Sequence, residues 1–170
     1  MTNPGTNTKL RIMIPLMSGG MLWQARSIVE RLGPGYEYLF VTAPEDMPAV
    51  QHHMPGRELH VVPLPSSSGL ATAGEKVGAV AGSFWHAARH IQRLRPHVIL
   101  CVGTCLAIPL FLIGRLAGAK TIFVESLTRV TELSRTGWMV ARLRLADRMY
   151  VQWPALAKGH PGVRYQGNVL

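Results

Sequence analysis

The sequence predicts an α/β fold in which a Rossmann-like parallel sheet carries helices on both faces. Two observations indicate this class. Strand-like apolar runs alternate with segments of helical spacing along the 170 residues. Most of those runs are apolar throughout rather than alternating in polarity, which is typical of parallel strands covered on both faces. The length suits one domain with its own core, so we predict a single domain over residues 1–170, with 1–8 as a disordered tail.

Six strands and one especially clear helix are predicted. Between the third and fourth strands, apolar residues recur at three- and four-residue steps from near Glu75 to Leu94, and Pro96 ends this helix. The stretch 65–74, rich in Ser and Gly, is expected to be a flexible loop at the edge of a site. The predicted strands are 10–17, 36–43, 59–65, 97–103, 120–126 and 148–153.

Composition limits the classes of partner. The chain has 18 Lys and Arg against 9 Asp and Glu, a formal charge of +9. This excess favours an anionic partner such as a phosphate-bearing substrate or an anionic membrane. No nucleic-acid-binding motif accompanies the charge, so nucleic acid is not expected. Cys101 and Cys105 are interpreted as reduced core thiols, and the polar start of the chain predicts a cytoplasmic protein without a secretory signal.

Ligands of such folds bind at the carboxyl ends of the strands, where two small-residue turns occur. Ser18-Gly19-Gly20 follows the first strand; its glycines allow close approach of a ligand, and N–H groups at a helix start attract anions. It matches neither the dinucleotide fingerprint nor the ATP-binding loop, and a purely structural turn is an equal alternative. Gly103-Thr104 follows the fourth strand, where helix capping by Thr104 is favoured and ligand contact is an addition.

The most informative stretch is 123–153. Glu125 ends the fifth strand, where a carboxylate suits a general base; the alternative is a capping carboxylate or one paired with Arg129, and local features favour that alternative. Downstream, Trp138, Arg142 and Arg144 mix a large apolar ring with cations. Such a segment either lies at an anionic membrane interface or forms a half-buried surface helix. No complete metal-ligand set is present, and no metal or cofactor is predicted.

Several stretches together resemble one known family across nearly the whole chain. They are "SGG" after the first strand, "RPHVILCVGTCLAIP", "FVESLTRVTELSRTGWMVARLRLADRMYVQWP" and the closing "YQGNVL". This series is similar to the acceptor-side subunit of split GT-B glycosyltransferases. That family includes the bacterial exopolysaccharide protein PssD and its eukaryotic relative in dolichol-linked oligosaccharide synthesis.

The resemblance implies a division of labour between two chains. This chain would be equivalent to the N-terminal, acceptor-binding half of a GT-B enzyme, and a PssE-like subunit would supply the half that holds the UDP-sugar. The pair would act as a hexosyltransferase-type enzyme on a polyprenyl-diphosphate-linked acceptor in bacterial exopolysaccharide biosynthesis. The chain would be peripheral on the inner face of the cell membrane and inactive without its partner. An alternative is a non-catalytic scaffold that docks the partner at the membrane.

Specific roles follow from that resemblance. Glu125 becomes the catalytic candidate, and Trp138, Arg142 and Arg144 become membrane contacts. The family turn usually reads Ser-Gly-Gly-His, whereas this chain has Met21 at the last position, which makes Glu125 the more attractive base. Many relatives of that family also carry an N-terminal membrane helix, and this chain is expected to lack one. The acceptor-binding candidates are Ser18, Gly19, Gly20, Gly103, Thr104 and Arg129.

Overall fold

The computed structural model describes residues 9–54, 59–61 and 73–169. Within these ranges the strands form one seven-stranded sheet in the order β3-β2-β1-β4-β5-β6-β7, and every neighbouring pair is parallel. The predicted fold class is confirmed. The strands are β1 (Arg11–Leu16), β2 (Glu37–Thr42), β3 (Leu59–Val61), β4 (Val98–Val102), β5 (Lys120–Val124), β6 (Arg148–Val151) and β7 (Val163–Tyr165).

Helices cover both faces of the sheet and bury two separate apolar cores. On one face α1 contributes Leu22 and Val29, and α2 contributes Val50. On the other face α3 contributes Ile91, and α4 contributes Phe111, next to Phe123 of β5. The helices are α1 (Gly20–Leu32), α2 (Met47–His53), α3 (Ala73–Leu94), α4 (Ala107–Leu116), α5 (Arg135–Arg142) and α6 (Pro154–Lys158), with a 3-10 turn at Pro44–Asp46 before α2.

All six predicted strands are present, and a seventh was missed. β7 has only three residues, of which Val163 alone is buried, so it is too short to show an apolar run. The predicted flexible loop is partly wrong, because Ala73 and Gly74 already belong to α3. The remainder of that loop, the end of the third predicted strand and the tail 1–8 lie outside the described residues.

The strand order places the predicted site at the middle of the sheet. β1 pairs with β4, with Ile12 opposite Val98. From this central pair, the chain adds β2 and β3 on one side of the sheet and β5, β6 and β7 on the other. At such a reversal the loops that follow the two strands diverge and leave a crevice at their carboxyl ends. The turns after β1 and β4 therefore lie beside the loop that follows β5.

The chain end returns to the face that carries α1. The Gln152 side-chain oxygen accepts a hydrogen bond from the backbone N–H of Val169 (3.0 Å), and the Arg31 guanidinium donates to the Asn168 carbonyl (3.2 Å). A cavity of about 520 Å³ lies between this segment, α1 and apolar residues of β4 to β6. The last residues described thus cover part of a sheet face where α1 and α2 do not reach.

The two cysteines differ in environment, and the expectation that both are core thiols is wrong for Cys105. Cys101 is fully buried in β4, and burial raises the pKa of its thiol well above the ordinary value, so it stays protonated. Cys105 is exposed rather than part of the core, because it lies in the turn between β4 and α4. Both are free thiols.

Candidate functional site

The glycine turn after β1 is exposed at the carboxyl edge of the sheet. Gly19 has φ +86°, a conformation that favours glycine, and it directly precedes α1. Gly20 differs in that its φ is not positive; at both glycines a built Cβ meets no atom within 4 Å. No contact with the described part of the chain therefore requires glycine at position 20, which leaves the surface above it open to a ligand.

The turn after β4 brings three predicted segments together. Gly103 has φ +58°, and a Cβ built there would lie 3.2 Å from Cβ of Ser126 and 3.3 Å from the sulfur of Met21. The turn after β1, the turn after β4 and the loop after β5 thus meet at Gly103. Met21, at the position where the sequence resemblance leads us to expect a histidine, packs in this contact and has no group that can accept a proton.

Thr104 is buried and its hydroxyl is used inside the protein. It accepts a hydrogen bond from the backbone N–H of Leu106 (3.2 Å) and donates to the sulfur of Met17 (2.9 Å). The residue that caps α4 is Leu106, so Thr104 caps the turn before the helix rather than the helix itself. Acceptor contact by Thr104 stays a prediction.

Glu125 is fully buried, and both oxygens of its carboxylate accept hydrogen bonds, three in all. One oxygen accepts from the backbone N–H of Ser126 (2.9 Å), and the other accepts from both the N–H and the hydroxyl of Ser134 (3.0 Å each). Ser134 in turn caps α5 by accepting from the N–H of Gly137 (2.9 Å). The carboxylate therefore joins both ends of the 126–134 loop. Among the described residues it forms no ion pair, and Arg129 is exposed on that loop.

Two buried glutamines that sequence reasoning missed complete the site. Gln24 of α1 accepts hydrogen bonds from the backbone N–H of Leu127 (2.8 Å) and from the side chain of Gln152 (2.6 Å). Gln152, directly after β6, also donates to the carbonyl of Glu125 (2.9 Å). Trp153 donates from its ring to the carbonyl of Leu127 (2.7 Å). The sequence contained one sign of this role, because the polar Gln24 interrupts the apolar face of α1 between Leu22 and Ala25.

The outer surface of α5 and its neighbours combines apolar and cationic side chains. Trp138 is 54% exposed while Val140 of the same helix is buried, so α5 is a half-buried surface helix. On α3, Trp85 is 68% exposed, and on α4 Leu116 is 85% exposed. Residues 81–94, 107–116 and 135–144 contain no Asp or Glu and six arginines: Arg89, Arg93, Arg115, Arg135, Arg142 and Arg144. We call this surface the arginine face.

In the part of the chain that the structure describes, no helix is both long enough and apolar enough to cross a bilayer.

Comparison with known proteins decides the family. A family model described as "Oligosaccharide biosynthesis protein Alg14 like" matches residues 51–169. The chain belongs to this family. The match includes Gly103, Thr104, Glu125, Arg129 and the whole of α5, but not the glycine turn at 18–20. For the acceptor-binding and catalytic residues the match gives no roles, and these stay predictions.

Three relatives of this Alg14-like chain carry the same name. The "UDP-N-acetylglucosamine transferase subunit ALG14" of Yarrowia lipolytica is 39% identical over 96 residues, 53% of this chain and 44% of the relative. The human protein of that name is 35% identical over 94 residues, 52% of this chain and 43% of the relative. The mouse protein is 27% identical over 184 residues, 95% of this chain and 83% of the relative. The chain thus spans under half the length of the first two relatives.

Solved structures confirm the fold at low sequence identity. MurG of Acinetobacter baumannii superimposes with a TM-score of 0.71 at 16% identity, over 94% of this chain but only 46% of MurG. The UDP-N-acetylglucosamine 2-epimerase of Rickettsia bellii superimposes with a TM-score of 0.67 at 10% identity, over 95% of this chain and 45% of the epimerase. The Alg14-like chain therefore has a Rossmann-like fold that superimposes on just under half of each of these longer chains.

Proposed function

We propose that this chain is the acceptor-binding subunit of a two-component glycosyltransferase. The pair would transfer a sugar from a UDP-sugar to a polyprenyl-diphosphate-linked acceptor. The observation that carries the proposal is the match of residues 51–169 to the Alg14-like family model. The fold agrees with it, since this chain superimposes on about half of the larger MurG chain. The names of the curated relatives support the same class of enzyme and make UDP-N-acetylglucosamine the first donor to test. The resemblance to PssD supports a role in bacterial exopolysaccharide synthesis.

A separate donor-binding subunit, PssE-like in character, would complete the crevice. The β1 and β4 turns of this chain would form one wall, and the partner would bring the nucleotide-sugar to the other. The N–H groups at Gly19 and Gly20 start a 13-residue helix, whose dipole favours a diphosphate. The exposed guanidinium of Arg129 would add a charge-assisted hydrogen bond to the same anion.

We propose that the transfer is inverting, so that the acceptor hydroxyl attacks the sugar directly as the nucleotide leaves. Such an attack requires a base for the proton of that hydroxyl. Met21 cannot accept this proton. Glu125 is a carboxylate without access to the crevice in this structure, and three donors already occupy its oxygens. The base role of Glu125 thus requires the 126–134 loop to open. The burial of this carboxylate and its three hydrogen bonds favour a second candidate function, in which this chain positions the acceptor and recruits the partner without transferring a proton.

Ligand binding by the isolated chain tests which half of the enzyme it is. In titration calorimetry with detergent present, we expect a prenyl-diphosphate-linked sugar to bind and UDP-N-acetylglucosamine to give no heat. Gly20→Val should weaken acceptor binding at least about tenfold, because a branched side chain blocks the approach to the turn. The melting temperature should hardly change, since the space around Gly20 is open. Preferential binding of the UDP-sugar would contradict the assignment.

We also propose that the arginine face lies against an anionic membrane surface, with Trp138, Arg142 and Arg144 among its contacts. The charged side chains of its three helical ranges are all arginines, and Glu132 of the preceding loop lies beside Trp138. The exposed Trp85, Leu116 and Trp138 offer apolar surface to the headgroup region. The opposite layer differs, because α1 pairs Arg26 with Glu30 at 2.7 Å. One molecular face is therefore suited to anionic lipid.

Sedimentation with phosphatidylglycerol vesicles tests this orientation. The double variant Trp138→Ser/Arg142→Glu should lose at least about 30-fold in vesicle affinity, because reversing one charge near the surface costs about 2 kcal/mol before the ring is counted. The matched control is Trp23→Ser/Arg31→Glu on α1, which changes the same residue types on the opposite layer and should bind as wild type does. Equal losses in both variants, or none in the first, would contradict the proposal.

A further inference from the structure

The amide of Gln24 connects the glycine turn to the loop after β5. Gln24 is 3% exposed, and its side-chain nitrogen donates to the carbonyl of Gly20 (3.0 Å). Its oxygen accepts from the N–H of Leu127, 103 residues away in sequence. One side chain thus contacts two of the segments predicted to bind the acceptor, without itself reaching the surface.

Gln152 fixes the orientation of this amide. It is 2% exposed and donates to both the Gln24 oxygen and the Glu125 carbonyl, while its own oxygen accepts from the N–H of Val169. A backbone N–H can only donate and a backbone carbonyl can only accept, so the four backbone partners define which atom of each amide is oxygen. Every polar atom of both side chains then has a partner, and neither amide has a second arrangement of equal energy.

We infer that Gln24, held by Gln152, is a positioning residue for acceptor binding. It sets the distance between the glycine turn and the residues at the start of the 126–134 loop, where Arg129 lies. Within that loop the Glu125 carboxylate fixes Ser126 and Ser134, so Leu127 is the point at which the loop is tied to α1. The inference rests on the proposed function, since it gives this contact its purpose.

Gln24→Met tests the role because methionine keeps the length of the side chain but removes both hydrogen-bonding groups. Leu127 N–H and one Gln152 N–H then lose their acceptor in a buried site. With the chain paired to its donor-binding subunit and assayed well below the melting temperature, we expect the KM for the lipid acceptor to rise about tenfold or more. The KM for the UDP-sugar should stay unchanged.

The matched control is Thr121→Val at the amino end of β5, away from the crevice. Thr121 is also buried, and its hydroxyl donates to the Leu145 carbonyl (3.0 Å) and accepts from the Asp147 N–H (3.0 Å). This variant should lose comparable stability and keep the wild-type KM for the acceptor. If Gln24→Met and Thr121→Val have the same KM for the acceptor, the positioning role of Gln24 is overturned.

Gln24→Glu adds a second measurement, the pH dependence of the acceptor KM, which we would not expect to change at a residue with a merely structural role. A protonated carboxyl group reproduces the amide, with O–H donating to the Gly20 carbonyl and C=O accepting from Leu127, whereas the carboxylate cannot donate. Because burial raises the pKa of such a carboxyl group, acceptor KM should recover as pH falls from about 8 to about 6, relative to wild type. A KM ratio that stays constant with pH would count against the inference.

Amide hydrogen exchange on the isolated chain separates this inference from the proposed function. Leu127 N–H should exchange at least about tenfold faster in Gln24→Met than in wild type, whether or not the complex transfers sugar. If wild type shows no transferase activity while Leu127 loses protection, the proposed function fails and the connection between the segments stands. Unchanged protection of Leu127 would overturn the connection itself.

Discussion

Gly137→Ala should destabilise the protein by about 2–4 kcal/mol, because the added methyl group occupies the place of a buried carboxylate. A Cβ built on Gly137 would lie 1.9 Å from one carboxylate oxygen of Glu125 and 3.1 Å from the Ser134 hydroxyl. That oxygen receives both hydrogen bonds from Ser134, so moving it breaks them in a site without water access. Urea denaturation monitored by circular dichroism measures the loss.

Gly82→Ala is the matched control for this prediction. Gly82 also lies within a helix, and a Cβ built there meets no atom within 4 Å. The same substitution at this position should stabilise the protein by about 0.5–1 kcal/mol through helix propensity. Opposite signs at the two positions would show that contact with Glu125, rather than the change from glycine, decides the outcome. A stabilising Gly137→Ala would mean that the Glu125 contacts are not as described.

Glu125→Gln should lower the turnover of the paired enzyme by about tenfold to a hundredfold without changing the shape of the pH–rate profile. An amide keeps one oxygen but places an NH2 group against a backbone N–H or the Ser134 donors, so the 126–134 loop loses at least one of its ties. Gly137→Ala displaces the same carboxylate without removing it and should lower turnover by a similar factor. Steady-state rates of both variants from about pH 5 to 9 make the comparison.

If Glu125 is instead the general base, Glu125→Gln and Gly137→Ala should differ in turnover and in pH profile. A general base would make Glu125→Gln lose about 10²–10⁴ in turnover together with the acidic limb of the pH profile, and Gly137→Ala would retain that limb. Such a result would contradict the view that Glu125 only holds the 126–134 loop, and it would make the carboxylate the proton acceptor. If both variants lose similar factors in turnover and keep the wild-type pH–rate profile, the general base belongs to the partner subunit or to the acceptor itself.

The fold could be predicted from sequence because it depends on local pattern. Continuous apolar runs such as that of β4 identify buried parallel strands, and Glu125 was correctly located at the end of one. Its hydrogen bonds could not be predicted, since Ser134 lies nine residues further on and the path between them is an irregular loop. The contact between Gln24 and Leu127 was equally out of reach, because only the folded sheet brings α1 beside the loop after β5.

Exposure was the other property that the local pattern did not settle. Cys101 and Cys105 share an apolar stretch, yet only Cys101 lies in a strand and is buried. On α5 the same sequence pattern suited a membrane contact and a half-buried helix. The structure shows a half-buried helix, with Trp138 exposed and Val140 buried, and the membrane contact stays a prediction. The cationic character of α3, α4 and α5 together emerges only when their arrangement in one layer is known.

The most direct measurement is sugar transfer from UDP-N-acetylglucosamine to a prenyl-diphosphate-linked acceptor by each purified subunit and by the pair. We predict no turnover from this chain alone, none from the donor-binding subunit alone, and transfer when the two are mixed in equal amounts. Turnover by this chain alone, at a rate that the added subunit does not raise, would contradict the account of a divided enzyme.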